Sequence, residues 1–113
     1  MTSNTTPIWE SMRTDESRLV EDKLHEYGFE QVDSYRYNSA SVRVRIVDKR
    51  FEGIDRDERN KIVEPFIEQL PESTQADIVT LVLLSPKELE TPNQTFREYM
   101  LNTEFDVPSP TML

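Results

Sequence analysis

One histidine, His25, stands alone in a chain that has no cysteine. A transition-metal site needs several imidazole or thiolate donors, so this set excludes one built from ordinary ligands. A Ser–His–Asp triad would have to use His25, which lies mid-helix near Lys23 and Glu26, and no nucleophile elbow surrounds any serine. Two glycines, Gly28 and Gly53, are too few for a glycine-rich phosphate loop. The 22 acidic side chains offer many pairs, but none has a spacing that marks an acid–base couple. Asp55-Arg56-Asp57-Glu58 lacks the spaced ligands and central glycine of a calcium loop and reads as a helix cap. The residue types therefore argue against an enzyme, a metal site and a cofactor, and in favour of binding.

Charge is the remaining resource. The net charge is −9, yet residues 36–61 hold eight basic side chains against five acidic ones. The eight are Arg36, Arg43, Arg45, Lys49, Arg50, Arg56, Arg59 and Lys61. An acidic chain is repelled by phosphate, which places a protein partner ahead of a nucleic acid. The basic stretch is where an anionic partner could dock, unless it is only a solvated strand face and helix end.

The elements that must position these groups follow from periodicity. Leu19, Val20, Leu24 and Tyr27 form a helical stripe after Asp15, and Gly28 supplies a left-handed stop. Phe29–Tyr37 reads as a strand and Asn38-Ser39-Ala40 as a turn. Val42, Val44 and Ile46 then alternate with Arg43 and Arg45, a strand with one apolar face and one row of arginines. Asp55 and Glu58 open a helix whose stripe is Ile62, Val63, Phe66, Ile67 and Leu70; Pro65 predicts a kink or a split there. Ile78–Leu84 is apolar throughout, as expected of a strand buried on both faces, with Val79, Leu81 and Leu83 in the core. Ser85-Pro86-Lys87-Glu88 starts a short helix, and a last one spans about Thr95 to Leu101.

A chain of 113 residues makes one domain. The predicted fold is α+β: a small three-stranded mixed sheet with helices packed on one face, in the order α-β-β-α-α-β plus a short C-terminal helix. Residues 1–14 read as a flexible tail, 15–90 as the domain, and 91–113 as a helical extension and frayed tail. Ile8 and Trp9 are out of place in a tail and are expected to dock on the domain's own core. With no leader-like start and no run long enough to span a bilayer, the expected location is cytoplasmic, with no membrane partner.

Tyr35-Arg36-Tyr37-Asn38, the strand Val42–Val47, Asp48-Lys49-Arg50-Phe51-Glu52-Gly53 and the following Arg59 together resemble the BolA family. Ile78–Leu84 running into Ser85-Pro86-Lys87-Glu88-Leu89 is similar to that family's last strand and helix start, so the likeness covers residues 15–90. It implies a class II KH-like fold and a non-enzymatic adaptor or regulator. The partner it implies is a monothiol glutaredoxin, in iron–sulfur handling, and some members act in transcription. Two departures stand out: Asn60 replaces the histidine expected after the arginine, and Asp77 falls where the family has its cluster-ligand histidine. Asp77 is a hard oxygen donor, so the ligand role is not expected to carry over. The KH likeness leaves open a nucleic-acid reading through the basic strand face, although the backbone-clamping G-x-x-G is absent, and an unrelated protein-interaction domain is the other alternative. The candidate binding set joins the patch to the motif: Arg43, Arg45, Lys49, Arg50, Phe51, Gly53 and Arg59, in a monomer or weak homodimer.

Overall fold

The computed structural model describes residues 7–90 and 96–110. Helix α1 (Asp15–Glu26) starts in a capping box, with Thr14 and Ser17 exchanging backbone-to-hydroxyl hydrogen bonds at 2.9 and 3.1 Å. It buries Val20 and Leu24, leaves Leu19 exposed, and ends where Gly28 takes a φ of 98°. Strands β1 (Gln31–Asn38) and β2 (Ser41–Val47) form the expected antiparallel hairpin, with Val32 opposite Ile46 and Ser34 opposite Val44.

Helix α2 (Arg56–Ile67) begins where Asp55 accepts from the Glu58 N–H at 3.0 Å. It continues past Pro65 without a break, and the split falls at Pro71 instead. Pro65 lies so near the end that the helix gives up little beyond one donor there. Helix α3 (Glu72–Asp77) then leads into β3 (Ile78–Leu84), which pairs parallel to β2. The sheet order is therefore β1-β2-β3 with β2 central. Helix α4 (Pro86–Glu90) follows Ser85, whose N–H donates to Glu88 Oε1 at 2.8 Å, and α5 (Phe96–Asp106) runs five residues past the Leu101 expected from sequence.

The α+β class and the mixed three-stranded sheet are thus as expected. On one face α1, the α1–β1 connection, the loop after β2 and α2 pack Val20, Leu24, Phe29, Phe51 and Val63 against Val32, Val42, Val44 and Ile46. Burying such side chains contributes roughly 1.5–3 kcal/mol each. Helices on that face alone do not describe the molecule, however. A short 3-10 helix at Ile8–Met12 and α5 cover the opposite face, where Trp9, Tyr35 and Phe105 form a second cluster. Residues 7–14 are not a loose tail, since Trp9 docks on the domain as expected and Thr14 caps α1, while residues 1–6 of that expected tail lie outside the described residues. Near the other end the Tyr37 hydroxyl donates to the Ser109 carbonyl at 2.7 Å, which ties that stretch to the sheet, while residues 91–95 and 111–113 of the expected extension and tail lie outside the described residues. Val79 is not a core residue. The β2–β3 register steps from Val42–Ile78 to Arg43–Thr80, and Val79, left without a partner, is 61% exposed. Among the described residues no helix is long and apolar enough to cross a membrane.

Candidate functional site

The row of arginines on β2 is not an exposed patch. Arg43 and Arg45 do lie opposite Val42, Val44 and Ile46, as alternation requires. Yet their side chains are only 13% and 8% exposed, because α5 lies over them. Arg45 donates Nε and Nη2 to Asp33 Oδ2 at 3.2 and 2.9 Å, and Nη1 to Asn102 Oδ1 at 2.8 Å and Asp106 Oδ1 at 2.5 Å. Its guanidinium sits 4.5 Å from the Phe105 ring centre. Arg43 donates to the Tyr35 hydroxyl at 2.9 Å and to Glu104 Oε1 at 3.3 Å, with the Tyr37 ring 3.7 Å away. Burial pushes the Tyr35 hydroxyl above its ordinary pKa, with Arg43 opposing the shift. Burial would also raise Glu104, but the backbone N–H and hydroxyl of Ser109, together with Arg43, hold it below the usual carboxylate range. The sequence clue to this closure was the aromatic content of the same face: Tyr35 and Tyr37 share the arginines' parity, and Trp9 and Phe105 were left over.

The other candidates divide. Lys49 and Arg50 are exposed at the end of β2. Arg50 stacks 4.3 Å from the Phe29 ring centre and donates to Asp48 Oδ1 and the Gly28 carbonyl at 3.1 and 2.8 Å. Asp48 is desolvated, which would raise its pKa, but the N–H groups of Arg50 and Glu30 and the Arg50 guanidinium lower it. Phe51 is fully buried in the main core. Gly53 turns the chain at φ 75°, a conformation costly for any other residue. Arg59 is a buried tie between elements, donating to the Ile54 carbonyl at 2.7 Å, the Leu83 carbonyl at 2.9 Å and Glu88 Oε1 at 2.8 Å. Burial would raise Glu88, but Arg59 and the Ser85 N–H lower it further than burial lifts it.

Sequence reasoning missed the outer edge of β3. The Asp48 N–H donates to the Leu84 carbonyl from the β2 side at 3.0 Å, so the Leu83 carbonyl points outward to Arg59. Backbone groups alternate along a strand, which turns those of Leu81 outward as well. A cavity of about 220 Å³ lies along this edge, lined by Leu81, Val82 and Leu83, by Arg56, Arg59 and Asn60 of α2, and by Leu101 of α5. Exposed Tyr99 and Met100 precede Leu101 on α5. The edge of β1 differs, because the Ser34 N–H there donates to Glu21 Oε2 at 2.9 Å. The run Ile78–Leu84 looked doubly buried because apolar composition does not tell a central strand from an edge one.

The donor set does not fit an iron–sulfur cluster. Asp77 ends α3 and pairs with Arg36 at 2.9 Å, beside Glu16, and the chain has no thiolate. His25 sets Nδ1 3.2 Å from the Phe29 carbonyl. The chain matches no protein-family model, no curated protein and no solved structure.

Proposed function

We propose that this chain is a non-enzymatic, BolA-like adaptor that binds another protein along the outer edge of β3. The observation that carries the reading is the groove beside an edge strand with no strand neighbour among the described residues. Outward N–H and C=O groups offer an extended segment main-chain hydrogen bonds, and the flanking Leu81, Leu83 and Leu101 offer it apolar contact. The internal neutralisation of Arg43 and Arg45 favours a protein over a nucleic acid, because a phosphate backbone needs free cations. By family analogy, a monothiol-glutaredoxin-like protein is one such partner, without a cluster ligand from this chain.

The lack of cysteine allows a clean test. Val79→Cys, Asn60→Cys and, as a control on α1, Lys23→Cys are each labelled with a photo-crosslinker. The labelled chains are then exposed to nuclease-treated and untreated extract. Labels at 79 and 60 are expected to attach to one protein through one contiguous peptide, with or without nuclease, while the label at 23 does not. Nuclease-sensitive capture, or equal capture from position 23, refutes the reading.

A further inference from the structure

A second cavity, on the far side of the sheet from the main core, has a different chemistry. It measures about 590 Å³, within the range of roughly 300–1,000 Å³ usual for ligand sites. Trp9 and the exposed side chains of Ile8 and Val107, 58% and 60% accessible, give it apolar walls. These two side chains come from segments about a hundred residues apart in sequence, yet they line one cavity. Isolated exposed apolar side chains are ordinary, whereas these two line the same cavity and give it a shared apolar wall.

The polar lining carries three carboxylates, Glu10, Asp33 and Asp106, against one guanidinium, Arg45. Their acceptor capacity is only partly used. Toward described residues Asp33 accepts through Oδ2 and Asp106 through Oδ1, while Glu10 has no side-chain hydrogen bond or ion pair. Each carboxylate oxygen can accept more than one hydrogen bond, so the cavity retains several acceptor positions for a further donor. An anion would face this excess of negative charge and a wholly apolar group would leave it unpaired. A group with an apolar stem and a planar cationic head satisfies both parts of the lining.

We infer that this cavity binds an arginine side chain of a partner polypeptide, its stem against Ile8, Trp9 and Val107 and its guanidinium at Glu10, Asp33 and Asp106. The chain already holds one guanidinium here, that of Arg45, between carboxylates and over an aromatic ring. The net charge of −9 draws a basic segment towards the molecule. The proposal does not depend on the β3 edge, since neither cavity shares a residue with the other.

The test is an NMR titration of the full chain with three capped tripeptides, acetyl-Ala-Arg-Ala-amide and its norleucine and glutamate counterparts. The arginine peptide is expected to give saturable shifts at the Trp9 indole and the Ile8 and Val107 methyls. It should bind about tenfold more tightly than the norleucine peptide, as a charge-assisted hydrogen bond requires, and the glutamate peptide should not bind. Glu10→Gln and Ile8→Ser, both at solvent-accessible positions, should each weaken the arginine peptide several-fold without altering the melting temperature. Equal binding of the norleucine peptide, absence of saturation, or indifference to Glu10→Gln overturns the proposal.

Discussion

The arginine-bearing face of the sheet and the outer edge of β3 begin from similar material, cations beside apolar surface, and end in opposite states. On the face, α5 brings Glu104, Asn102 and Asp106 to Arg43 and Arg45 and seats Phe105 between Trp9 and Tyr35, at ring separations of 5.1 and 4.9 Å. Arg43 and Arg45 each find a carboxylate there, and α5 covers them, leaving open only the cavity beside Asp33 and Asp106. On the edge, Arg59 covers only the Leu83 carbonyl, and the strand before it has no neighbour on that side among the described residues. A row of charges in a sequence is thus a poor guide to an open surface. The better guide is where backbone polar groups are left without a partner strand.

The contrast can be broken first at the closed face. Phe105→Ala should cost about 3–5 kcal/mol in chemical denaturation, since the ring is fully buried between two aromatics. A loss below about 1 kcal/mol would mean that α5 is not part of the folded unit. Arg45→Ala should cost about 3 kcal/mol, because it leaves Asp33 buried without its cation. The double variant Arg45→Leu with Asp33→Leu should recover part of that loss, which a mere packing role for Arg45 does not predict.

Acid gives a smaller effect that reaches both regions. Glu88 beside the edge and Glu104 over the face have folded pKa values depressed from the ordinary 4.5, as Asp48 has from 3.8. Their contribution is fully present above those ordinary values and is lost as pH falls below them towards the folded values. Stability measured from pH 6 downward should therefore fall once pH drops below about 4.5. Glu88→Gln should flatten part of that fall, and an unchanged profile would contradict the assignment. The smallest effect is the control: Lys61→Ala, at an exposed pair with Glu58, should change stability by less than about 0.5 kcal/mol.

Much of the fold was legible in the sequence, for identifiable reasons. Period-two alternation fixed β2 and its apolar face, and the caps at Asp55 and Ser85 fixed the starts of α2 and α4. The closed face was not legible, because alternation reports that two sides differ and not what covers the polar one. Trp9 and Phe105 lie near the chain ends, far from Tyr35 in sequence, and only tertiary contact joins them. Phe51 and Arg59 were read as binding residues from the family likeness. They are placed as a core side chain and a tie among α2, β3 and α4, roles that a motif cannot distinguish from recognition. Val79 and the β3 edge escaped notice because the register step beside Val42 has no sequence signature.

The most direct measurement is amide hydrogen exchange of the full chain with and without its crosslinked partner protein. Docking on the β3 edge predicts that exchange at residues 79 and 81 slows by about tenfold or more as the outward N–H groups gain acceptors, while residues 43–45 and 102–106 stay unchanged. Protection appearing at 43–45 and 102–106 instead, with β3 unaltered, would place the partner on the arginine face and contradict the account.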